Sequence, residues 1–271
     1  MIVSYFELMK CRLTLMVLAT TALGFLMGSG PHVAWGGLWK VFLGTFLVGG
    51  GANALNQFFE KDIDARMERT KNRPLPSGRL RGMQAFLFGA TVTFGGILFL
   101  SLAVNRMTAV LGAFAALSYL FIYTPLKRLT VFNTFVGAVP GALPIVMGWT
   151  AAGAVLDQRA WALFWILYFW QLPHFFAIAR IYREDYQRAG LRMMTAPILL
   201  YSAVLLPVSF VPARIGMTGN FYPAASLAAG AAFLTFALYM TLTKLSAPKK
   251  FIPASILYLT LLIAIMVFDK A

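Results

Sequence analysis

Acidic residues are scarce in this 271-residue chain: nine Asp and Glu stand against 23 Lys and Arg, and only 12% of all residues carry charge. So small a polar complement excludes a water-soluble globular domain, given that 60% of the residues are hydrophobic and the mean hydropathy is +0.75. A single cysteine, Cys11, excludes an internal disulfide and gives no basis for a Cys-built metal or redox centre. No Ser/Gly/Pro-rich linker or low-complexity tract divides the chain, so residues 1–271 read as one membrane-embedded domain.

What is present is a series of apolar runs. A bilayer core takes about 20 mostly apolar residues per helix. Nine stretches qualify: 13–29, 37–59, 84–104, 108–124, 134–153, 160–180, 196–213, 222–243 and 252–268. The first follows Lys10 and Arg12 without a small-residue cleavage site, which predicts a retained helix rather than a signal peptide. The fold class expected is all-α, a polytopic bundle of nine transmembrane helices around a central cavity. A net charge of +14 would suit nucleic acid, but the cations alternate from side to side between the helices, as a topology signal does. The N-terminus and the connections after helices 2, 4, 6 and 8 hold 18 of the 23 Lys and Arg, from Lys10 and Arg12 to Lys244, Lys249 and Lys250. The predicted N-terminus is therefore cytoplasmic and the C-terminus outside, with a lipid bilayer and no nucleic acid as partner.

Charge concentrates in two connections on the predicted cytoplasmic side. The stretch "NQFFEKDIDARMERTKNRPLPSG", residues 56–78, holds four of the nine carboxylates. If helix 2 continues past its apolar run, Asn56, Glu60 and Asp64 stand at i, i+4 and i+8, within about 80° of one another, with Asn53 on the same side. Asp62 falls on another face of a regular helix. Hard oxygen donors at this spacing suit Mg2+, which takes one or two carboxylates plus substrate phosphates and waters. Arg66, Arg69, Lys71 and Arg73 follow at once, so that bound cation and basic side chains together suit a phosphorylated substrate. A solvated loop whose charges pair among themselves is the plain alternative. Asn53 and Asn56 weigh against it, because polar side chains within a spanning helix tend to line a site. Two prolines and a glycine in "NRPLPSG" predict an ordered turn.

The second connection, "FWQLPHFFAIARIYREDYQRAG" (169–190), carries Gln171, Pro173 and His174 inside helix 6 and Glu184 and Asp185 at its end. Pro173 is expected to break the helical ladder there. His174 reads either as a hydrogen-bonded packing residue or as a ligand or base. No role is assigned to His32, in a short external loop, or to Cys11. Four helices separate the two connections, which suggests two parallel four-helix halves plus a ninth helix, the two loops facing each other. The aromatic run "WALFWILYFW" (161–170) reads as packing and lipid-facing residues.

The first charged stretch resembles the Asp-rich region of the intramembrane prenyltransferases of the UbiA superfamily. "YTPLKRLTVFNTFVGAVPGALPIVMGW" (123–149) and "WQLPHFFAIARIYREDYQRAG" are similar to its heme O synthase branch. The resemblance covers residues 5–195. It implies transfer of a farnesyl group from farnesyl diphosphate to a vinyl group of heme B with addition of water, in the cell (plasma or inner) membrane. It also implies Mg2+ held by Asn56, Glu60, Asp62, Asp64 and Asp185. The diphosphate would then fall to Arg66, Lys71, Arg73, Lys127 and Arg128, while His174 would position water or contact heme. A heme A synthase or an oxidase-assembly protein is the partner that the same resemblance implies. Three departures stand out: Glu60 replaces the usual Asp, Cys11 stands where proline is common, and "AGLRMMTA" (189–196) lacks the usual proline and leucine.

Two rival functions share parts of this pattern. A sister prenyltransferase acting on an aromatic acid, quinone precursor or chlorophyllide would use the same diphosphate site. A membrane transporter would instead show discontinuous helices and ionisable residues near the midplane.

Overall fold

A computed structural model describes residues 2–194, 198–242 and 248–271. The described residues form helices, with one isolated bridge between Thr218 and Lys270. In chain order they are α1 (Ile2–Met9), α2 (Cys11–Gly28), α3 (Trp35–Phe59), α4 (Lys61–Asp64), α5 (Gly82–Ala103) and α6 (Arg106–Leu117). A π-helical turn (Ser118–Tyr123) leads into α7 (Thr124–Leu129), followed by α8 (Asn133–Ala151), α9 (Gln158–Ile181), α10 (Arg183–Arg188), α11 (Ile198–Arg214), α12 (Phe221–Leu242) and α13 (Pro248–Phe268). Among the described residues eight helices are long and apolar enough to cross a bilayer, α6 to α7 counting as one; α11, with 17 residues, is shorter. This is a multi-pass membrane protein. Of the nine spans expected, eight are matched among the described residues, and the stretch expected at 196–213 is represented by the shorter α11. Lys244, the start of the predicted 196–213 span and the end of the 222–243 span lie outside the described residues.

The chain forms two compact units, Met1–Val155 with Glu184–Met193, and Leu156–Arg183 with Met194–Ala271. In the first, α3 packs along α5 and α2 along α8. The α2–α8 contact is backbone on backbone. A Cβ on Gly24 would stand 1.8 Å from the Ile145 carbonyl oxygen, and one on Gly148 would stand 1.9 Å from that of Thr21. Without a hydrophobic drive between helices in lipid, such close approach supplies dispersion contact where the two backbones meet. These contacts join the C-terminal half of α2 to that of α8.

In the second unit, α9 packs on α11 and α13, and α12 on α11 and α13. Hydroxyls join these apolar helices: Tyr222 Oη donates to the Ser209 carbonyl oxygen (2.7 Å), and Ser209 Oγ lies 2.7 Å from Tyr258 Oη. Contrary to the expected break, α9 runs unbroken through Pro173. Proline is tolerated in membrane helices because neighbouring groups and small local adjustments make good the lost hydrogen bond. Pro173 is itself buried.

Gly148→Ala is expected to lower the melting temperature of the detergent-solubilised protein, since α2 and α8 must separate to admit the methyl group; overpacking of this kind costs about 1–3 kcal/mol. Gly95→Ala, where a Cβ meets nothing within 4 Å, is the control and leaves the melting curve in place. Equal melting temperatures for the two variants would refute the tight α2–α8 contact.

Candidate functional site

Three helix ends meet in the first unit. The helical path of α3 ends at Phe59, yet Glu60 N–H still bonds to the Asn56 carbonyl and Asp64 N–H to that of Glu60, so the short α4 keeps the i, i+4, i+8 stacking. Asn56, Glu60 and Asp64 are all buried, at 1%, 7% and 1% exposure. Each oxygen group faces a cation from a different part of the chain. Lys10 Nζ donates to Asn56 Oδ1 (3.2 Å), Lys127 Nζ to Glu60 Oε1 (2.8 Å), and Arg73 Nη1 to both oxygens of Asp64 (2.8 and 2.7 Å). Asn56 Nδ2 donates to Thr124 Oγ1 (3.1 Å), which fixes which end of the amide faces Lys10.

Lys10 has no counterpart among the expected site residues, its charge having been read as a topology signal. It links α1 to α2 in the left-handed conformation, with φ 48° and ψ 54°. A side chain other than Gly, Asn or Asp costs roughly 1–2 kcal/mol there, so neighbouring contacts must hold it. The carbonyls just before it supply those contacts. Gln57 Nε2 donates to the Glu7 and Leu8 oxygens, and Thr14 Oγ1 to that of Met9 (2.9 Å). Asn53 Nδ2 also reaches Met9 O and Thr14 Oγ1, each at 3.4 Å, so Asn53 supports this bend instead of joining the oxygen stripe. Arg79 clamps Glu7 with two hydrogen bonds and holds its carboxyl below the usual range. Burial pushes the Lys10 ammonium down to about 7; Arg73 and Lys127 push the same way, and Glu60 and Asp64 oppose them.

Lys127 is placed by the π-helical turn. Pro125 lacks an N–H and its ring crowds the carbonyl one turn back, and the ladder widens so that Thr124 N–H bonds to Tyr119, five residues earlier. The widened turn stacks Tyr119 on Tyr123, with centroids 5.8 Å apart, and sets Lys127 Nζ 4.6 Å from the Tyr123 ring centroid. A groove lined by Phe59, Glu60, Leu120, Thr124 and Arg128, ≈ 400 Å³ in volume, borders Glu60 on its outer side.

The two charged connections meet, as their shared side predicts. Asp185 Oδ1 accepts from the Glu68 backbone N–H (3.4 Å) and from Arg188 Nη2, while Tyr186, Ala189 and Leu191 pack on Ile63 and Met67. Burial raises the Asp185 carboxyl, but the Arg188 and Glu68 hydrogen bonds outweigh it and hold it below the usual range. The "AGLRMM" segment is pinned in turn: Arg192 N–H bonds to the Lys127 carbonyl (2.8 Å), and Asn133 Nδ2 donates to the Arg192 carbonyl. The "NRPLPSG" turn is ordered through Ser77 N–H to Arg73 O, Leu80 N–H to Pro74 O and Gly78 at φ 72°.

Several expected residues are not gathered into this cluster. Asp62 and Arg66 are exposed; neither side chain makes a hydrogen bond or ion pair among the described residues, because the turn of α4 points both outward. Lys71 pairs with Glu68 at the surface, and Arg128 is exposed on the groove. Asp185 is held at Glu68, one element away from Asn56. His174 belongs to the second unit, His32 is exposed, and Cys11 Sγ contacts the Phe6 carbonyl. Among the described residues no three His, Cys, Asp or Glu side chains converge on one point, so a five-residue metal cage is not present. The chemistry of the remaining donors, two carboxylates and an amide oxygen at one helix end, still fits Mg2+, which fills its other positions with water and phosphate.

Such a site combines two buried carboxylates and an amide oxygen with three cations. Comparison with known proteins identifies the family. The UbiA prenyltransferase family matches residues 17–265. A protoheme IX farnesyltransferase of Solibacter usitatus is 40% identical over 286 residues, covering 98% of both chains. The mitochondrial protoheme IX farnesyltransferase of Homo sapiens is 39% identical, over 97% of this chain and 61% of its own length. In fold, the chain is similar to a structure solved for digeranylgeranylglyceryl phosphate synthase, with a TM-score of 0.82, 16% identity and coverage of 99% and 98%. It is also similar to a UbiA homolog from Archaeoglobus fulgidus bound to GPP and Mg2+, with a TM-score of 0.72, 16% identity and coverage of 97% and 99%. With most of its length matched and its helices arranged alike, this chain belongs to the UbiA prenyltransferase family.

Proposed function

We propose that the protein transfers a farnesyl group from farnesyl diphosphate to a vinyl group of heme B, with water adding to the resulting cation, to give heme O and diphosphate. The observation that carries the diphosphate half of this reading is the buried set of Asn56, Glu60 and Asp64 facing Lys10, Lys127 and Arg73. The acceptor half is supported by the relatives that share about 40% identity along nearly the whole chain. The working location is the cell (plasma or inner) membrane, N-terminus cytoplasmic, as the distribution of Lys and Arg supports.

The obstacle in the reaction is negative charge growing on the leaving diphosphate as its bond to C1 of the farnesyl chain breaks. Asn56, Glu60 and Asp64 would hold Mg2+, which neutralises diphosphate oxygens when bound. Lys127, Arg73 and Lys10 would turn from their present partners toward the same oxygens and stabilise the charge where it develops. Two unit charges 4 Å apart interact by about 4 kcal/mol at an effective dielectric of 20, so three such side chains can supply a large part of the barrier reduction. The nucleophile is a neutral alkene and needs no strong base. Asp185, by holding the second connection on Glu68, keeps Lys127 and the first loop in register through the Arg192 contact.

Incubation of purified protein with farnesyl diphosphate, heme B and Mg2+ is expected to yield heme O by mass spectrometry, and EDTA is expected to abolish the product. Aromatic acids, quinone precursors and chlorophyllide serve as competing acceptors; preferential farnesylation of one of these would overturn the heme reading, and full turnover in EDTA would overturn the metal.

Asp64→Asn and Glu60→Gln should each lower turnover by about 100-fold or more, the usual effect of removing one charge-stabilising group, while the protein still elutes as folded material. Lys10→Met should lower turnover at least about tenfold, because a buried charged contact is worth roughly 1.5–3 kcal/mol. Asp62→Asn, on the exposed face, should leave turnover within about twofold of the parent on the same scale. An Asp62 variant as impaired as the Asp64 variant would contradict the arrangement described.

A further inference from the structure

The second unit holds a polar constellation that the diphosphate chemistry does not use. On α9, His174 Nδ1 lies 2.7 Å from Ser255 Oγ on α13. Ser255 Oγ is in turn 2.7 Å from the carbonyl oxygen of Ile252, which can only accept. The hydroxyl proton is therefore committed to Ile252, and Ser255 Oγ accepts from Nδ1–H. That assignment leaves the lone pair of the imidazole on Nε2. Trp170 Nε1 donates to the Ser255 backbone oxygen (2.7 Å), and its ring stacks on the imidazole with centroids 5.1 Å apart and planes 25° from parallel. Edge and face are both fixed. Nε2 makes no hydrogen bond among the described residues, and the side chain is only half-buried. Nε2 is not closed off inside the packing, so its lone pair stays open to an incoming ligand, and an ionisable side chain in a bilayer-spanning helix marks a functional position.

We propose that His174 Nε2 is the axial ligand of the acceptor's heme iron, and that Ser255 is a positioning residue that fixes the ring's tautomer and direction. The inference rests on heme B being the acceptor, as argued above. A histidine that ligates a metal through one nitrogen almost always donates its other N–H to an oxygen, as His174 does to Ser255. Imidazole is also a common axial ligand of heme iron. Ligation at Nε2 would set the depth and tilt of the porphyrin, and with them the place of the vinyl group, without taking part in bond formation.

The test uses the full-length protein in detergent, titrated in parallel with ferrous heme B and with iron-free protoporphyrin IX. In the parent protein heme B should bind at least about tenfold tighter than the iron-free ring, with an iron–histidine stretch in the resonance Raman spectrum; in His174→Ala both the preference and the band should vanish. His174→Asn keeps a donor toward Ser255 without the ligating nitrogen and should behave the same, which covers an alanine variant that fails to fold. Added imidazole should restore the band in His174→Gly. Ser255→Ala should keep the band but lose about tenfold or more in heme affinity, with protoporphyrin binding unchanged. A His174→Asn protein that keeps the parent's heme spectrum and preference would overturn the proposal, and would fit an Nε2 that holds water instead. If the parent converts heme B to heme O but its spectrum is insensitive to His174, only the ligand assignment fails; if the parent does not accept heme B at all, the functional reading fails with it.

Discussion

Buried charge that must be neutralised within the fold is the constraint on which the first unit turns. Glu60 and Asp64 could not be buried alone, since an ionised carboxylate out of water costs several kcal/mol unless paired and hydrogen-bonded. Lys127 and Arg73 supply those pairs, and Lys10 completes the set through Asn56. With Lys10 charged, three cations face two carboxylates, a net of one positive charge. On the proposed chemistry, a diphosphate of roughly three negative charges with one divalent cation brings a net of about −1, so the loaded site comes to about neutral. A cluster of this kind exchanges ion pairs instead of creating or burying unpaired charge when substrate arrives.

Such an exchange works only if the side chains start from fixed positions, and the backbone shows how they are fixed. The left-handed Lys10 is held by Gln57 and Thr14 on the carbonyls before it, so the strain at one residue is spread over several buried hydrogen bonds. Lys127 is aimed by a π-helical turn that Pro125 enforces. Gly24 against Ile145 and Gly148 against Thr21 join α2, which follows Lys10, to α8, which follows the Lys127 segment. The backbone thus fixes where Lys10 and Lys127 start, while their long side chains keep the freedom to change partner.

Much of this was legible in the sequence, and the limits have physical causes. Long apolar runs report membrane helices because the bilayer leaves few alternatives, and the spacing of Asn56, Glu60 and Asp64 reports a shared face because helix geometry is local. Spacing says nothing of partners far along the chain. Lys127 is 67 residues from Glu60, and Lys10 is 46 from Asn56. Lys10 also carries a second signal, topology, which hid the first. Asp62, Arg66 and Lys71 were drawn in because composition marks a charged region without saying which faces turn outward. Asp185 was expected at the metal and stands at Glu68 instead, because the second connection docks on the loop after α4, not on α3. The unbroken course of α9 through Pro173 reflects surroundings that a local rule for proline does not include.

The distribution of ionisable groups also separates an enzyme from a transporter. A carrier of ions or charged solutes needs ionisable or unwound backbone sites partway across the membrane. In the first unit the buried charged side chains cluster where α2 begins and α3 and α7 end, and the spanning parts of α3, α5 and α8 present chiefly apolar and small residues. A site at the helix ends can receive a diphosphate from the aqueous side while its isoprenoid chain stays among apolar groups. That division of one amphiphilic substrate between two media explains why so greasy a chain concentrates four of its nine carboxylates in a single stretch of 23 residues. Selection of the acceptor then falls to residues outside the charge cluster, because every member of the family that releases diphosphate faces the same electrostatic task there.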